Sequence, residues 1–204
     1  VAGERKEGPS LHFPGSDPPF GRSDRRQTTP IDTRTARSGQ VDLVRSRCCG
    51  VCRSGTRLLG LIEDLGAGPV ALDTAVFIYF IEEDERFLPI VEQVFGAIDS
   101  GSLPGVTSTM TLLETLVGPI RAGNNRLAES YETLLSQSRG LQLIDLDRPA
   151  IRLAAKIRAL AGLKTPDALQ VATALHLECT AFLTNDRQIP SFGEMRTLQL
   201  RDYL

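Results

Sequence analysis

The sequence lacks any apolar run long enough to cross a membrane and any recognisable export signal. A membrane helix needs about 20 consecutive apolar residues, and no such stretch occurs. The opening segment VAGERKEGPS has no apolar core followed by a cleavage site, so a secretory signal is not expected. Of the 4 cysteines, three are bunched at 48–52 and Cys179 is remote, which is a poor disulfide framework. We therefore expect a cytoplasmic protein without a membrane anchor.

Excess charge is also missing, as are the glycine-rich nucleotide-binding patterns. The net charge is −2, whereas a strongly basic chain would itself have indicated a polyanionic partner. Neither G-x-G-x-x-G nor G-x-x-x-x-G-K-[ST] occurs, so a nucleotide-cofactor function has no support. Any activity on nucleic acid must therefore depend on a local site or on bound cations.

Regular patterning is absent from residues 1–68, which are rich in Pro, Gly, Ser and Arg. Such a segment buries too little apolar surface to offset the entropy lost on ordering it. We expect a disordered extension, or residues that precede the native start, since the chain opens with Val and its first Met is Met110. A less favoured reading is an RNA-contacting tail, since its 11 basic and 8 acidic residues give it a charge of +3.

The cysteine cluster in this segment is a weak hint of a zinc site. Cys48, Cys49 and Cys52 lie close together, but a structural zinc ion needs four ligands. The nearest histidine in the segment, His12, is far away in sequence. We therefore disfavour zinc binding.

Residues 69–204 show a repeated alternation of strands and helices. The segments predicted as strands are VAL (70–72), GVTS (105–108), LQLIDL (141–146), AFLT (181–184) and TLQL (197–200). Alternating strands and helices imply a parallel sheet with helices on both faces. The predicted fold class is α/β, a three-layer α/β/α domain with a central parallel sheet.

Helices are predicted from apolar periodicity and from capping residues. Apolar residues from Phe87 to Ile98 follow a helical period, and the row Leu113, Leu116, Val117 and Ile120 indicates another helix. Asn124, Asp147 and Thr165 are predicted as helix caps, the last with the buried face Ala168, Val171, Ala172, Leu175 and Cys179. The segment DTAVFIYFI fits either a helix or a longer strand.

Four acidic residues follow predicted strands or begin predicted helices. Asp73 directly follows VAL, and Asp186 follows AFLT after one Asn. Glu114 lies in the helix after GVTS, and Asp167 lies in the first turn of its helix. Because ligand sites of parallel α/β sheets lie at the carboxyl ends of the strands, we expect the four acids to meet in one crevice.

Four carboxylates in one crevice repel one another and stay ionised only if a cation compensates them. Oxygen ligands suit Mg²⁺ or Mn²⁺ rather than zinc, and such ions can activate water for phosphodiester cleavage. Each acid alone has an ordinary alternative. Asp73 and Asp167 can serve a helix N-terminus, Glu114 can be a solvated helix residue, and Asp186 can be a turn residue. A phosphatase of the haloacid dehalogenase type is disfavoured because Ala75 stands where its second acid is needed.

The motifs LDTAVFIYF, TLLETLVGP, LKTPDALQVATAL and FLTND occur in this order across about residues 70–204. In order and spacing they resemble the PIN-domain ribonucleases, most closely the VapC-type toxins of bacterial toxin–antitoxin pairs. The resemblance implies divalent-metal-dependent endoribonuclease activity, a homodimer and a cognate antitoxin. It does not cover residues 1–68, which depart from the family pattern.

The resemblance also implies roles for individual residues. By motif match Asp73, Glu114 and Asp167 take the three core acidic positions that bind Mg²⁺ or Mn²⁺, and Asp186 takes a fourth, more variable position. Thr184 matches a hydroxyl beside the acids, and Asn185 is its neighbour in the motif. Part of the apolar stretch 76–81 would line an antitoxin groove.

Basic residues near these acids are candidates for RNA contact, although each is also explained as part of a solvated helix face. They are Arg121, Arg152, Lys156, Arg158 and Lys164. The main alternative function is a non-catalytic PIN-like module that binds only RNA or a protein partner. The presence of all four acids argues against this alternative.

Overall fold

The computed structural model describes residues 58–204. The candidate zinc cysteines Cys48, Cys49 and Cys52 and most of the expected N-terminal extension lie outside the described residues. No helix within 58–204 is both long and apolar enough to span a membrane.

A five-stranded parallel sheet forms the centre of the domain, with the strand order β3-β2-β1-β4-β5. The strands are β1 (Val70–Leu72), β2 (Gly105–Ser108), β3 (Leu141–Ile144), β4 (Ala181–Thr184) and β5 (Arg196–Gln199). The helices are α1 (Leu58–Leu65), α2 (Thr74–Ile81), α3 (Leu88–Asp99), α4 (Thr109–Arg121), α5 (Asn125–Gln137), α6 (Arg148–Ala161) and α7 (Thr165–His176), followed by a 3₁₀ helix, Leu200–Tyr203. The predicted parallel sheet is confirmed.

Helices cover the sheet on both faces, because successive strand side chains point in opposite directions. Val70, Leu72 and Leu183 pack on one face, in a core shared with α1, α2, α3 and α5. Ala71 and Phe182 pack on the other face, in a core shared with α6 and α7. The three-layer prediction is therefore confirmed, and residue alternation along the short strands decides which face each side chain occupies.

The segment after β1 forms a helix rather than a longer strand. Asn124 and Asp147 cap α5 and α6 as predicted, by accepting hydrogen bonds from backbone N–H groups in the first turn. The predicted Thr165 cap is wrong. Lys164 occupies that position without a side-chain cap, and Thr165 is the first residue of α7. The Asp167 carboxylate accepts from the Lys164 N–H, as the third helical residue does in a capping box.

The folded domain begins before residue 69, because α1 belongs to its core. Leu61 and Leu65 are fully buried. The Tyr203 hydroxyl donates to the Asp64 carboxylate at 2.7 Å, and the Arg196 side chain donates to the Asp64 carbonyl. Residues that precede the predicted boundary at residue 68 therefore contribute to the core of the described domain. The helical spacing of Leu58, Leu61 and Leu65 was a usable signal, but α1 is short and follows a segment without such a pattern.

Helix α4 forms where the apolar row predicted it, but a different face is buried. Leu113, Val117 and Ile120 are 57%, 44% and 63% exposed, whereas Thr111 and Thr115 are buried. The Thr115 hydroxyl donates to the backbone carbonyl of Thr111, which makes its burial inexpensive. The polar face of α4 therefore lies inwards, and its apolar row faces solvent.

Candidate metal centre

The candidate site lies where the central strands end. β1 is the middle strand, β2 and β4 flank it, and the strand order changes direction between β1 and β4. Such a switch point leaves a crevice at the carboxyl edge of the sheet. The Asp73 N–H donates to the Leu183 carbonyl at 3.0 Å, so Asp73 is held between the ends of β1 and β4.

Asp73 has a hydrogen bond on each carboxylate oxygen. Oδ1 accepts from the Thr74 N–H at 2.7 Å, and Oδ2 accepts from the Thr184 hydroxyl at 2.5 Å. Loss of hydration on burial raises the pKa of Asp73 to about 6, against the lowering effect of these two bonds. The negative charges of Glu114 and Asp167 raise the pKa further. Asp73 therefore caps α2 and also lies among the other acids.

Glu114 is not a solvated helix residue. Its Oε2 accepts a hydrogen bond from the Thr74 hydroxyl at 2.6 Å and another from the Gln170 amide at 2.8 Å. These donors come from α2 and α7, so Glu114 on α4 lies where three helices meet. Thr74 connects two of the acids, because its N–H donates a hydrogen bond to Asp73 and its hydroxyl donates one to Glu114.

Asp167 lies close enough to Asp186 for their charges to interact. Burial is the main cause of its raised pKa, followed by the negative charge of Asp186. The positive charge of Lys164 lowers the pKa, the charge of Glu114 raises it, and the Lys164 N–H lowers it. The interactions of Asp73 and Asp167 together link all four predicted acids in one cluster.

In the FLTND segment, Thr184 contacts an acid of the site, whereas Asn185 and Asp186 also form hydrogen bonds that hold the local structure. Thr184 is fully buried and donates to Asp73, and it accepts from the Asp186 N–H at 2.9 Å. Asp186 also serves its turn, since its Oδ1 accepts from the Gln188 N–H at 2.8 Å. Asn185 donates to the Tyr79 hydroxyl at 3.1 Å and accepts from Arg201 at 2.8 Å, so its amide joins α2 to the 3₁₀ helix.

The chemistry of the donor set fits a hard divalent cation, because the four clustered side chains offer only carboxylate oxygens. Among residues 58–204, no three acidic, histidine or cysteine side chains are already arranged to share one ion. Binding of one ion by three carboxylates therefore requires side-chain movement. A cation would also offset the charges that raise the pKa of Asp73.

All five basic residues predicted to contact RNA are exposed. Arg152 and Lys156 are four residues apart on α6 and so lie on the same side of that helix. Lys164 is close enough to Asp167 to lower its pKa. Arg121 lies in the last turn of α4, two helical turns beyond Glu114.

Sequence reasoning missed Thr74 and Gln170, the two donors to Glu114. Both are buried. The available signal was a polar residue within an otherwise apolar helix face, Gln170 in ALQVATAL. That signal shows burial of an amide but not its partner, because Glu114 is 56 residues away in the chain.

Fold and site together define a three-layer α/β/α protein with a carboxylate cluster at the carboxyl edge of a parallel sheet. The chain belongs to the PIN-domain family, whose model matches residues 70–195.

Solved structures share this fold at low sequence identity. A chain of the crystal structure of VapBC2 from Rickettsia felis bound to a promoter DNA fragment is 14% identical, with a TM-score of 0.52 over 64% of this chain and 98% of that one. A chain of DNA-bound VapBC from Salmonella typhimurium is 20% identical, with a TM-score of 0.52 over 65% of this chain and 98% of that one. No curated protein matches the sequence significantly.

Proposed function

We propose that this protein is a divalent-metal-dependent endoribonuclease and the toxin of a toxin–antitoxin pair. The observation that carries the proposal is that Thr74 joins Asp73 to Glu114, and Thr184 joins Asp73 to the Asp186 backbone, at the carboxyl edge of the sheet. Asp167 lies close enough to act on the pKa of Asp73. Membership of the PIN-domain family supports nuclease activity. The motif resemblance to VapC-type toxins, together with a fold shared with chains of VapBC complexes, supports the toxin role.

Asp73, Glu114 and Asp167 would hold the cation, with Asp186 assisting. When bound, Mg²⁺ or Mn²⁺ supplies acidification of water and neutralisation of charge on the scissile phosphate. Thr184 orients the Asp73 carboxylate, and Thr74 orients both Asp73 and Glu114 through its N–H and hydroxyl groups. The turn at Asp186 is held by Thr184 and Gln188, which keeps its carboxylate near Asp167.

The exposed basic residues would bind the RNA backbone around this acidic centre. Lys164 is the nearest candidate, because its charge already acts on Asp167. Arg152, Lys156 and Arg158 on α6 and Arg121 on α4 would extend the contact to neighbouring phosphates. Their positive charge is needed because a cluster of carboxylates repels a polyanion in the absence of cations.

Two protein partners belong to the same proposal: an antitoxin and a second copy of this chain. The apolar row Leu113, Val117 and Ile120 of α4 is the surface on which we expect the second copy to pack, since it is adjacent in sequence to Glu114 and exposed. The antitoxin would contact α2, whose apolar residues 76–81 are only partly used by the core. Both interactions would take place in the cytoplasm.

The test is RNA cleavage by purified Asp167→Asn protein in the presence of Mg²⁺ or Mn²⁺. The substitution removes a charged ligand but keeps the size of the side chain, so we expect near-complete loss of cleavage with an unchanged circular dichroism spectrum. Asp202→Asn, at an exposed acid of the 3₁₀ helix, is the matched control. Cleavage by Asp167→Asn at the wild-type rate would refute the proposed site. A wild-type protein that binds RNA and metal without cleaving would favour a non-catalytic binding module.

A further inference from the structure

A buried network of polar side chains surrounds Glu114, in a part of the fold that is otherwise apolar. Thr74, Thr107, Thr111 and Gln170 have exposed fractions of 8%, 3%, 0% and 5%. The Thr107 hydroxyl donates to the Leu72 carbonyl at 3.1 Å, and its oxygen lies 2.8 Å from that of Thr111. Thr111 in turn lies 3.4 Å from the Thr74 hydroxyl. The network therefore runs from β1 and β2 to the helices that carry the acids.

Gln170 closes this network on Glu114. Its Nε2 donates to the Thr74 hydroxyl and to Glu114 Oε2, in both cases at 2.8 Å. Thr74 donates to the same carboxylate oxygen at 2.6 Å. The amide nitrogen therefore lies against both oxygens of the Thr74–Glu114 hydrogen bond. The two donors hold Glu114 Oε2 and so fix the orientation of the whole carboxylate.

Packing alone is a poor explanation for an amide at this position. The neighbouring residues of α7, Val171, Ala172 and Ala174, are apolar and fully buried. Within the described part of the chain, the Gln170 carbonyl oxygen is buried without a hydrogen-bond partner, which is unfavourable. Leu or Met would fill a similar volume without that cost. The advantage of glutamine lies in its amide donor, which contacts both the Thr74 hydroxyl and the Glu114 carboxylate.

We propose that Gln170 is a positioning residue for the metal centre and acts through Glu114. By holding Oε2, Gln170 and Thr74 leave Oε1 of Glu114 as the oxygen available to the cation. Gln170 follows Asp167 by three residues on α7, so one helix supplies both an acid and the donor that orients another acid. This inference rests on the proposed function in one respect, namely that the acids bind a divalent cation.

The experiment is a titration of the 204-residue chain with Mn²⁺, in which the electron paramagnetic resonance signal measures the free ion. We compare wild type, Gln170→Met, Glu114→Gln and the double variant. Loss of a residue that orients a metal ligand weakens affinity by about 10-fold or more, which is the result expected for Gln170→Met. If Gln170 acts through Glu114, adding Gln170→Met to Glu114→Gln changes the affinity by less than about twofold.

Thr173→Val is the matched control, because Thr173 is a buried polar residue on the same helix and its hydroxyl donates to the Leu169 carbonyl of that helix. We expect its Mn²⁺ affinity to equal that of wild type. Thr74→Val is a second test, since it removes the other donor to Glu114 while keeping the side-chain shape. Thr74→Val alone should weaken Mn²⁺ binding, whereas adding it to Glu114→Gln should not. This comparison tests the role of Glu114 even if Gln170→Met fails to fold.

The possible outcomes separate this inference from the proposed function. Wild-type affinity in Gln170→Met, or an equal loss with and without Glu114, overturns the positioning role and leaves the nuclease proposal standing. Mn²⁺ binding with the expected coupling but without RNA cleavage supports the positioning role and refutes the nuclease. Absence of Mn²⁺ binding by wild type overturns both.

Discussion

At the scale of single residues, the helix cap that Asp73 forms and the cation binding that we propose for it have physical requirements that conflict. Capping α2 requires only an oxygen that accepts from the Thr74 N–H. Binding a cation requires a full negative charge, which burial and the neighbouring acids disfavour, as the pKa of about 6 shows. Above that pH, the folded chain without metal contains a carboxylate that would be better hydrated in the unfolded chain. The charge is therefore a cost to the fold that a cation can offset.

Asp73→Asn separates the two roles. The amide oxygen can still accept from Thr74, so we expect the variant at pH 7.5 in chelator to be at least as stable as wild type, by up to about 2 kcal/mol. The sign follows from the pKa of Asp73, which the fold raises from 3.8 to about 6. The fold therefore loses stability as pH rises between these two values, and the full cost is present at pH 7.5. Thermal unfolding with chelator and with Mn²⁺ tests this. Mn²⁺ should raise the melting temperature of wild type only. If Asp73→Asn were much less stable than wild type in chelator, the predicted cost of the Asp73 charge would be contradicted.

Cys179 offers a second prediction at this scale. The thiol is buried, and burial raises its pKa to about 11. Because the thiolate is the reactive form, native Cys179 should resist iodoacetamide at pH 8 and react readily after denaturation. Peptide mass spectrometry of the alkylated protein measures this at Cys179 itself. Rapid modification under native conditions would show that the core around α7 opens easily.

At the scale of elements, α1 shows that the folded unit includes residues before the family motif. Leu65→Ala removes a fully buried side chain from this helix and should destabilise the protein by about 2–4 kcal/mol. Glu63→Ala, at an exposed position of the same helix, should have little effect. Urea unfolding of the two variants makes the comparison. Equal stability of Leu65→Ala and wild type would mean that α1 is not part of the cooperative unit.

Helix α4 allows a test of self-association. Ile120→Ser changes a side chain that is 63% exposed, so the stability of the monomer should change by less than about 0.5 kcal/mol. If the exposed row packs on a second copy, the same change should weaken the dimer at least tenfold. Sedimentation velocity over a concentration series measures this, with Ser136→Ala on the exposed side of α5 as the control. An unaltered dimer would place the interface elsewhere.

At the scale of the whole molecule, the proposed function requires a surface that attracts RNA around a site that is itself acidic. If the basic residues of α6 contact phosphates, RNA affinity should fall steeply with salt, and Arg152→Ala with Lys156→Ala should reduce the salt slope by about 1–2. Fluorescence anisotropy of RNA binding in the presence of Ca²⁺, recorded at several salt concentrations, measures how steeply the affinity depends on salt. Glu132→Ala on α5 serves as a control variant. Affinity independent of salt would remove the basic residues from the interface.

The sequence was sufficient for the sheet and for the clustering of acids, because both depend on local patterns. Buried parallel strands are short apolar runs, and acids directly after such strands share one edge of the sheet. The contacts of Gln170, Thr74 and Asn185 depend instead on side chains that meet across many residues of intervening chain. The outward direction of the α4 row was also unpredictable, since periodicity identifies an apolar face without identifying what covers it.

The position of β4 in the sheet has a consequence for protein synthesis. β1 is synthesised about a hundred residues before its neighbour β4. Thr184, whose hydroxyl donates to Asp73, is the last residue of β4. A nascent chain that has not reached residue 184 therefore has an unpaired edge on β1 and an incomplete acid cluster. Under the proposed function, a nascent chain is therefore expected to gain nuclease activity only after residue 184 has been synthesised and has paired with β1.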